Sequence, residues 1–286
     1  MIQQVNRKSM MIRPSGRSTD FISPSFGHGC LYNCSYCYMK RHKPEGLDIA
    51  NNTMDILTEI NSHCAFADVE KPNQTHPEYI TYDISCNEDF ALHAKHHEWE
   101  KIFDFFKNHD RAMGSFATKH VNKDFLKYNP EGKIRVRFSL MPQRYSTILE
   151  PNTPNMVDRI YAMNRYIEAG YDVHINFSPV IVEPNWLHQY TILFEMVHIL
   201  LDDKYKHKVK AEVIFLTHNK DKHEYNLANK LPGEELLWRP DIQESKTSQY
   251  GGENIRYKHD LKAQYIKEWT ELHDDIIPWN TIRYIF

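Results

Sequence analysis

Cys30, Cys34 and Cys37 lie in the run Cys30-Leu31-Tyr32-Asn33-Cys34-Ser35-Tyr36-Cys37, a C-x3-C-x2-C spacing. Thiolates are ligands for iron and zinc. Three on one short loop can hold three irons of a cubane iron–sulfur cluster and leave the fourth iron open to an outside ligand. Structural zinc takes four closed protein ligands, usually with paired two-residue spacings. His28 or His42 would have to complete such a site, and zinc stands as the alternative reading. Cys64 and Cys86 stand alone, and Cys64, in a polar stretch without a cysteine partner nearby, reads as structural. The 17 histidines, His93, His96 and His97 among them, show no repeated i, i+4 carboxylate partner and predict no second metal site.

Elements must carry that loop. Gly27-His28-Gly29 is a flexible turn that delivers the chain into it, and the segment 52–62 has helical spacing in Met54, Ile56, Leu57 and Ile60. From Tyr79 onward short apolar runs at 79–84, 113–118, 133–140, 172–180 and 210–217 alternate with helical patterns at 95–108, 120–128, 154–169 and 186–202. This rhythm predicts parallel strands with crossover helices, an open or closed α/β barrel. Residues 1–20 read as a polar, basic arm or lead-in strand, 21–220 as the barrel, and 221–286 as a C-terminal extension packed on it. The extension holds an expected hairpin around Gly251-Gly252, a helix near 259–273 and a final strand 281–286, whose apolar ending predicts a packed terminus.

The composition, 41% apolar and 26% charged, supports a sizeable core. With 35 basic and 38 acidic residues the formal charge is −3, which excludes a generally basic coat for nucleic acid but leaves room for a local cationic groove. An odd count of five cysteines argues against a disulfide scaffold. No apolar run approaches the roughly 18 residues of a membrane span, and the N-terminus lacks the apolar core of a signal peptide. A reduced, cytoplasmic protein is expected.

The cysteine spacing, followed by Tyr38 and preceded by a strand, resembles that of the radical S-adenosylmethionine enzymes. More narrowly, the chain resembles the spore photoproduct lyase family from about Phe21 to the C-terminus. The resemblance is carried by Tyr36-Cys37-Tyr38, Ser85-Cys86 with Asp89, Ala117-Thr118-Lys119, Arg135 to Ser139, Glu150 to Thr153, Ala169-Gly170-Tyr171, Ser178-Pro179-Val180 and Tyr250-Gly251. It implies a partial (β/α)6 barrel with a C-terminal hairpin and helix extension, a [4Fe-4S] cluster on Cys30, Cys34 and Cys37, and S-adenosylmethionine bound to the open iron. It implies an activity: a 5′-deoxyadenosyl radical reverses a UV thymine–thymine lesion in DNA, making the protein a carbon–carbon lyase of DNA repair.

The same resemblance implies residue roles. Cys86 would return a hydrogen atom to the thymine radical, and Tyr36 and Tyr38 would relay one back toward the cofactor. Lys119, Ser139 and Ser178 fall where the family contacts S-adenosylmethionine. Glu88 replaces a small hydroxyl residue there and could pair with the cofactor's ammonium. DNA would meet a cationic mouth drawn from the stretch Lys119, His120, Lys123, Lys127, Lys133, Arg135 and Arg137, with the two arginines on one strand face. The hairpin residues Gln249, Tyr250, Arg256 and Tyr257 would handle the lesion, which must leave the base stack to react. Gln249 departs from a family arginine, and the chain is shorter than typical members, lacking much of an N-terminal extension. These departures keep open a radical enzyme acting on another modified base or nucleotide, beside a zinc-stabilised nucleic-acid-binding module without catalysis. A flavodoxin-type reductase is the expected electron donor, and a monomer the expected state.

Overall fold

All five runs expected as core strands form strands, at Ile80–Asp83, Ala112–Thr118, Ile134–Leu140, Asp172–Val180 and Lys210–Phe215. The structure is a computed structural model that describes residues 1–66, 71–247 and 253–286. The chain divides into two compact units. One comprises Met1–Leu31, Lys43–Phe138 and Ala162–His174, and the other Tyr32–His42, Ser139–Tyr161 and Ile175–Phe286.

In the first unit β1 (Ile2–Val5) pairs parallel with β5 (Leu47–Ala50), which pairs antiparallel with β4 (Gly27–Gly29). The polar arm thus begins with a paired strand. A larger sheet runs from β2 (Arg13–Pro14), antiparallel to β3 (Phe21–Ile22), through β6 (Ile80–Asp83) and β7 (Ala112–Thr118) to β8 (Ile134–Leu140), all parallel from β3 on. Between them the helix Trp99–Asn108 buries Ile102, Phe103 and Phe106, one face of its turn. Phe103 joins Phe90, Phe116 and Phe125 in an aromatic core with ring centroids 4.9 to 6.3 Å apart.

The expected helix 120–128 is corrected. Only one 3₁₀ turn, Phe125–Lys127, forms there. Asn122 is the cause: its Oδ1 accepts from the Asp124 N–H at 2.9 Å, its Nδ2 donates to the Ala91 carbonyl at 2.8 Å, and its own N–H is held by the Tyr166 hydroxyl. A side chain that satisfies the backbone locally competes with the helix. The pattern 95–108 likewise breaks in two, because His97 is extended where its ring turns to Glu88.

In the second unit β9 (Asp172–Val180) pairs parallel with β10 (Lys210–Phe215) from Ile175 on, and β14 (Thr281–Ile285) adds parallel on the far side of β10. The expected final strand is therefore part of a sheet. A second sheet sets β11 (Thr217–His218) and β12 (Gln243–Thr247) on either side of β13 (Glu253–Tyr257), both antiparallel to it. The expected hairpin is present in strands β12 and β13, while its tip, with Gln249 and Tyr250, lies outside the described residues. The helices Trp186–Leu200 and His259–Ile276 pack through Phe194 and Trp269, ring centroids 5.0 Å apart.

Candidate active site

Gly29 stands immediately before the first cysteine at φ +111°, and a Cβ there would lie 2.7 Å from the Gly46 carbonyl, so the entry to the loop requires glycine. Beyond half-buried Cys30, the Leu31 N–H donates to His93 Nε2 at 3.2 Å. That bond makes Nε2 the acceptor, so Nδ1 carries the proton and donates to Glu88 Oε2 at 2.9 Å. His97 Nε2 bonds the same oxygen at 2.9 Å. Burial by itself would raise the Glu88 pKa, but the two histidines outweigh it and hold the carboxyl at about 2.

The glutamate was expected to meet the S-adenosylmethionine ammonium, and the structure corrects this. Its side chain is 0% exposed, the carboxylate lies against the Cα of Gly27, and Oε1 is enclosed without a hydrogen-bond partner among the described residues. In this arrangement no atom of the Glu88 side chain is open to a ligand.

Cys86 lies half-buried just past the C-terminal end of β6, the end of a parallel strand where α/β sheets place their ligands. Its turn is shaped by the Ser85 N–H on Asp83 Oδ1 at 2.9 Å, and the Gly29 N–H on the Asn87 carbonyl at 3.0 Å ties it to β4. Asp89 does more than the sequence reading assigned to it. One oxygen caps the helix Phe90–His93 and accepts from the Thr118 hydroxyl at 2.6 Å, and the other accepts from the Lys119 N–H at 2.9 Å. One carboxylate thus positions Lys119 relative to the Cys86 turn. The signal was legible as an N-cap aspartate.

In the second unit buried Cys34 and half-buried Cys37 close a turn through the Cys37 N–H on the Cys34 carbonyl, 3.1 Å. Ser35 between them is clamped three ways: its N–H donates to the Leu149 carbonyl at 2.9 Å, its hydroxyl to the Pro232 carbonyl at 2.7 Å, and its carbonyl accepts from Asn226 at 2.9 Å. None of the five cysteines is in a disulfide.

The Tyr36 hydroxyl donates to Glu150 Oε1. Glu150 Oε2 accepts from Ser146 at 2.9 Å and from fully buried Arg159 at 2.7 Å, and Arg159 in turn donates to the Ser139 carbonyl at 2.8 Å. Burial, reinforced by Glu150 and Cys34, pushes the Tyr36 phenol well above the usual tyrosine range, so it keeps its hydrogen. The ladder Tyr36, Glu150, Arg159, Ser139 joins two expected site residues through two that the sequence reading gave no role. Tyr38 differs from Tyr36: its side chain is exposed, edge-on to the His42 ring. Ser178 is half-buried on β9.

Lys222, on the helix Lys220–Ala228, is 1% exposed, and its Nζ has no hydrogen-bond partner among the described residues. Burial lowers its pKa to about 8, opposed first by the neighbouring charge of Cys37 and also by Glu234 and Cys34. A buried cation whose charge feels Cys34 and Cys37, two cysteines of a loop clamped at Ser35, suits an anionic iron–sulfur cluster.

Nearby, His218 and His223 both bond Glu234 Oε1, at 2.9 and 2.6 Å, and Asn226 bonds Oε2. Their donor atoms lie within 4.8 Å of one another, yet these bonds already satisfy Glu234, and the trio serves as the support behind Asn226.

The expected DNA contacts are partly corrected. Arg135 is 2% exposed, donates to Asp172 at 2.6 Å and to the Thr75 carbonyl at 3.1 Å, and Arg137 is 3% exposed, bonded to Asp83 at 2.7 Å and Ser115 at 3.1 Å. Charged groups in a sheet need partners, and these have them. Lys133 is also enclosed, 3.7 Å over the Tyr79 ring. Tyr257 is buried, its hydroxyl accepting the Val182 N–H at 3.0 Å. Lys123 is exposed, and Lys119, His120 and Arg256 remain half-exposed, the last with its guanidinium 5.5 Å from the Phe286 ring centre. Lys127 is exposed and pairs with Asp124.

A family model described as spore photoproduct lyase matches residues 3–286. The chain is 26% identical over 214 residues to the spore photoproduct lyase of Bacillus subtilis (strain 168); the match takes in 73% of this chain and 59% of that protein's length. Among solved structures, spore photoproduct lyase complexed with dinucleoside spore photoproduct is similar at a TM-score of 0.88 and 20% identity, covering 100% of this chain and 82% of that one. A double mutant with bound AdoMet and the same lesion gives 0.87 and 19%, with coverages of 100% and 82%. The expected α/β fold, a partial barrel with a C-terminal extension, is the fold of those structures. With its family model matched almost end to end, the chain belongs to the spore photoproduct lyase family.

Proposed function

We propose that this chain is a radical S-adenosylmethionine lyase that reverses a thymine–thymine lesion of the spore photoproduct type in DNA to two thymines. The observation that carries the reading is the family match over residues 3–286, which spans both the cysteine loop and Cys86. Relatives of the same fold bind AdoMet and the dinucleoside lesion.

Cys30, Cys34 and Cys37 hold a [4Fe-4S] cluster, and Lys119, Ser139 and Ser178 contact S-adenosylmethionine. Together cluster and cofactor supply a hydrogen-abstracting 5′-deoxyadenosyl radical, with the electron coming from a flavodoxin-type reductase in the cytoplasm. The rest falls to the chain. After the bridge between the thymines breaks, a carbon radical remains on one thymine. Cys86 gives it the S–H hydrogen atom, and the thiyl left behind takes a hydrogen atom from a phenol. Tyr36, kept protonated and held by its hydrogen bond to Glu150, is a phenol with that hydrogen atom to give, becoming a tyrosyl radical, and exposed Tyr38 is the second phenol of the relay. DNA contact rests on Arg256 and the hairpin bearing Gln249 and Tyr250, since Arg135, Arg137 and Tyr257 are enclosed.

The test is anaerobic reconstitution with iron and sulfide, followed by incubation with S-adenosylmethionine, dithionite and dinucleotide spore photoproduct. Repaired thymidine dinucleotide by chromatography is the expected result. Cleavage of S-adenosylmethionine without repair would redirect the activity to another modified base or nucleotide, and failure to develop broad absorption near 400 nm would favour zinc.

A further inference from the structure

We infer that Lys222 is a built-in cation that raises the reduction potential of the cluster and so eases its one-electron reduction. The inference rests on the reading that Cys30, Cys34 and Cys37 ligate a [4Fe-4S] cluster. Lys222 lies one helical turn before Asn226, the residue that holds the Ser35 carbonyl between two of those cysteines. The side chain is 1% exposed and its ring contact is Tyr225, 4.7 Å from Nζ to the centroid.

Among the described residues Nζ has no hydrogen-bond partner, an expensive state for a buried ammonium. Glu234 leaves it unpaired, because Oε1 is taken by His218 and His223 and Oε2 by Asn226. The charged groups that act on it, Cys37, Glu234, Lys40 and Cys34, include two cluster thiolates. Reduction adds one electron to an already anionic cluster. A fixed positive charge nearby stabilises the reduced state more than the oxidised one, and net charge and hydrogen bonding to sulfur are the protein's main levers on such potentials.

The experiment reconstitutes the wild type, Lys222→Met and Lys222→Arg anaerobically. It follows the reduced cluster by electron paramagnetic resonance during a redox titration, with dithionite as the one-electron reductant. Lys222→Met should load full iron and sulfide but titrate at a more negative potential, with the reduced-to-oxidised ratio at fixed poise falling about tenfold, about 59 mV. Lys222→Arg, which keeps the charge, should titrate near the wild type. If Lys222→Met loads poorly, the neutral polar Lys222→Gln carries the same comparison. A fully loaded neutral variant with an unmoved potential overturns the inference while leaving the cluster reading intact; a wild type that binds no cluster overturns both.

Discussion

In the proposed reaction Cys86 and Tyr36 divide the radical chemistry by bond strength and environment. A thiol gives up hydrogen to a carbon radical, and neither Ala nor Ser can replace it. Cys86→Ala should therefore still release 5′-deoxyadenosine but yield adducted rather than repaired thymine, and clean repair by that variant would sink the donor assignment. Glu150 and Arg159 are 2% and 0% exposed. Glu150→Gln leaves a buried guanidinium without its anion, which costs about 3–5 kcal/mol, and it replaces the charged acceptor of the Tyr36 hydroxyl by a neutral one. A lowered thermal midpoint is the expected readout, and an unchanged midpoint would contradict the ladder. Glu88 sets an acid limit. Its folded pKa of about 2 lies below the ordinary value of 4.5, so the stability it contributes is present above about pH 4.5 and is lost as pH falls toward 2. Chemical denaturation at pH 5, 4 and 3 should show wild-type stability falling more steeply than that of Glu88→Gln.

At the scale of elements, in the first unit β4 and the Gly29 turn lead the chain to Cys30; in the second unit the helix Lys220–Ala228 holds the Ser35 carbonyl between Cys34 and Cys37 through Asn226. Gly29→Ala would place a methyl against the Gly46 carbonyl at a left-handed φ, and strain at such a position costs on the order of 1–3 kcal/mol. Iron content after reconstitution should fall in Gly29→Ala, whereas Gly16→Ala, where a Cβ meets nothing within 4 Å, should load like the wild type. Equal loading of the two would remove the argument for the turn. The lost helix at 120–128 belongs to the same scale. Helical spacing was present there, but Asn122 found partners in Ala91, Asp124 and Tyr166, two of them far along the chain.

For the molecule as a whole, the proposed DNA binding would rest on a few cations at the surface, because the net charge is −3 and Lys133, Arg135 and Arg137 are internal. Arg137→Met should lower the thermal midpoint by breaking the pair with Asp83, yet leave the salt dependence of DNA binding unchanged, whereas Arg256→Ala should reduce that slope by about 1. Fluorescence anisotropy against salt concentration decides it, and a reduced slope for Arg137→Met would return that arginine to the DNA surface. The strand order, the cysteine spacing and the terminal strand were legible in the amino-acid sequence, because they depend on periodicity and on ligands close together along the chain. Burial was not. Alternation puts Arg135 and Arg137 on one strand face but does not say what that face meets, and only folding brought up Asp172, Thr75, Asp83 and Ser115. In the same way Glu88 had a place at a strand end in the sequence, and the tertiary structure closed His93, His97 and Gly27 around it. Chain-local chemistry is written in spacing; which charges end up inside, and with which partners, is decided by contacts between residues far apart in sequence.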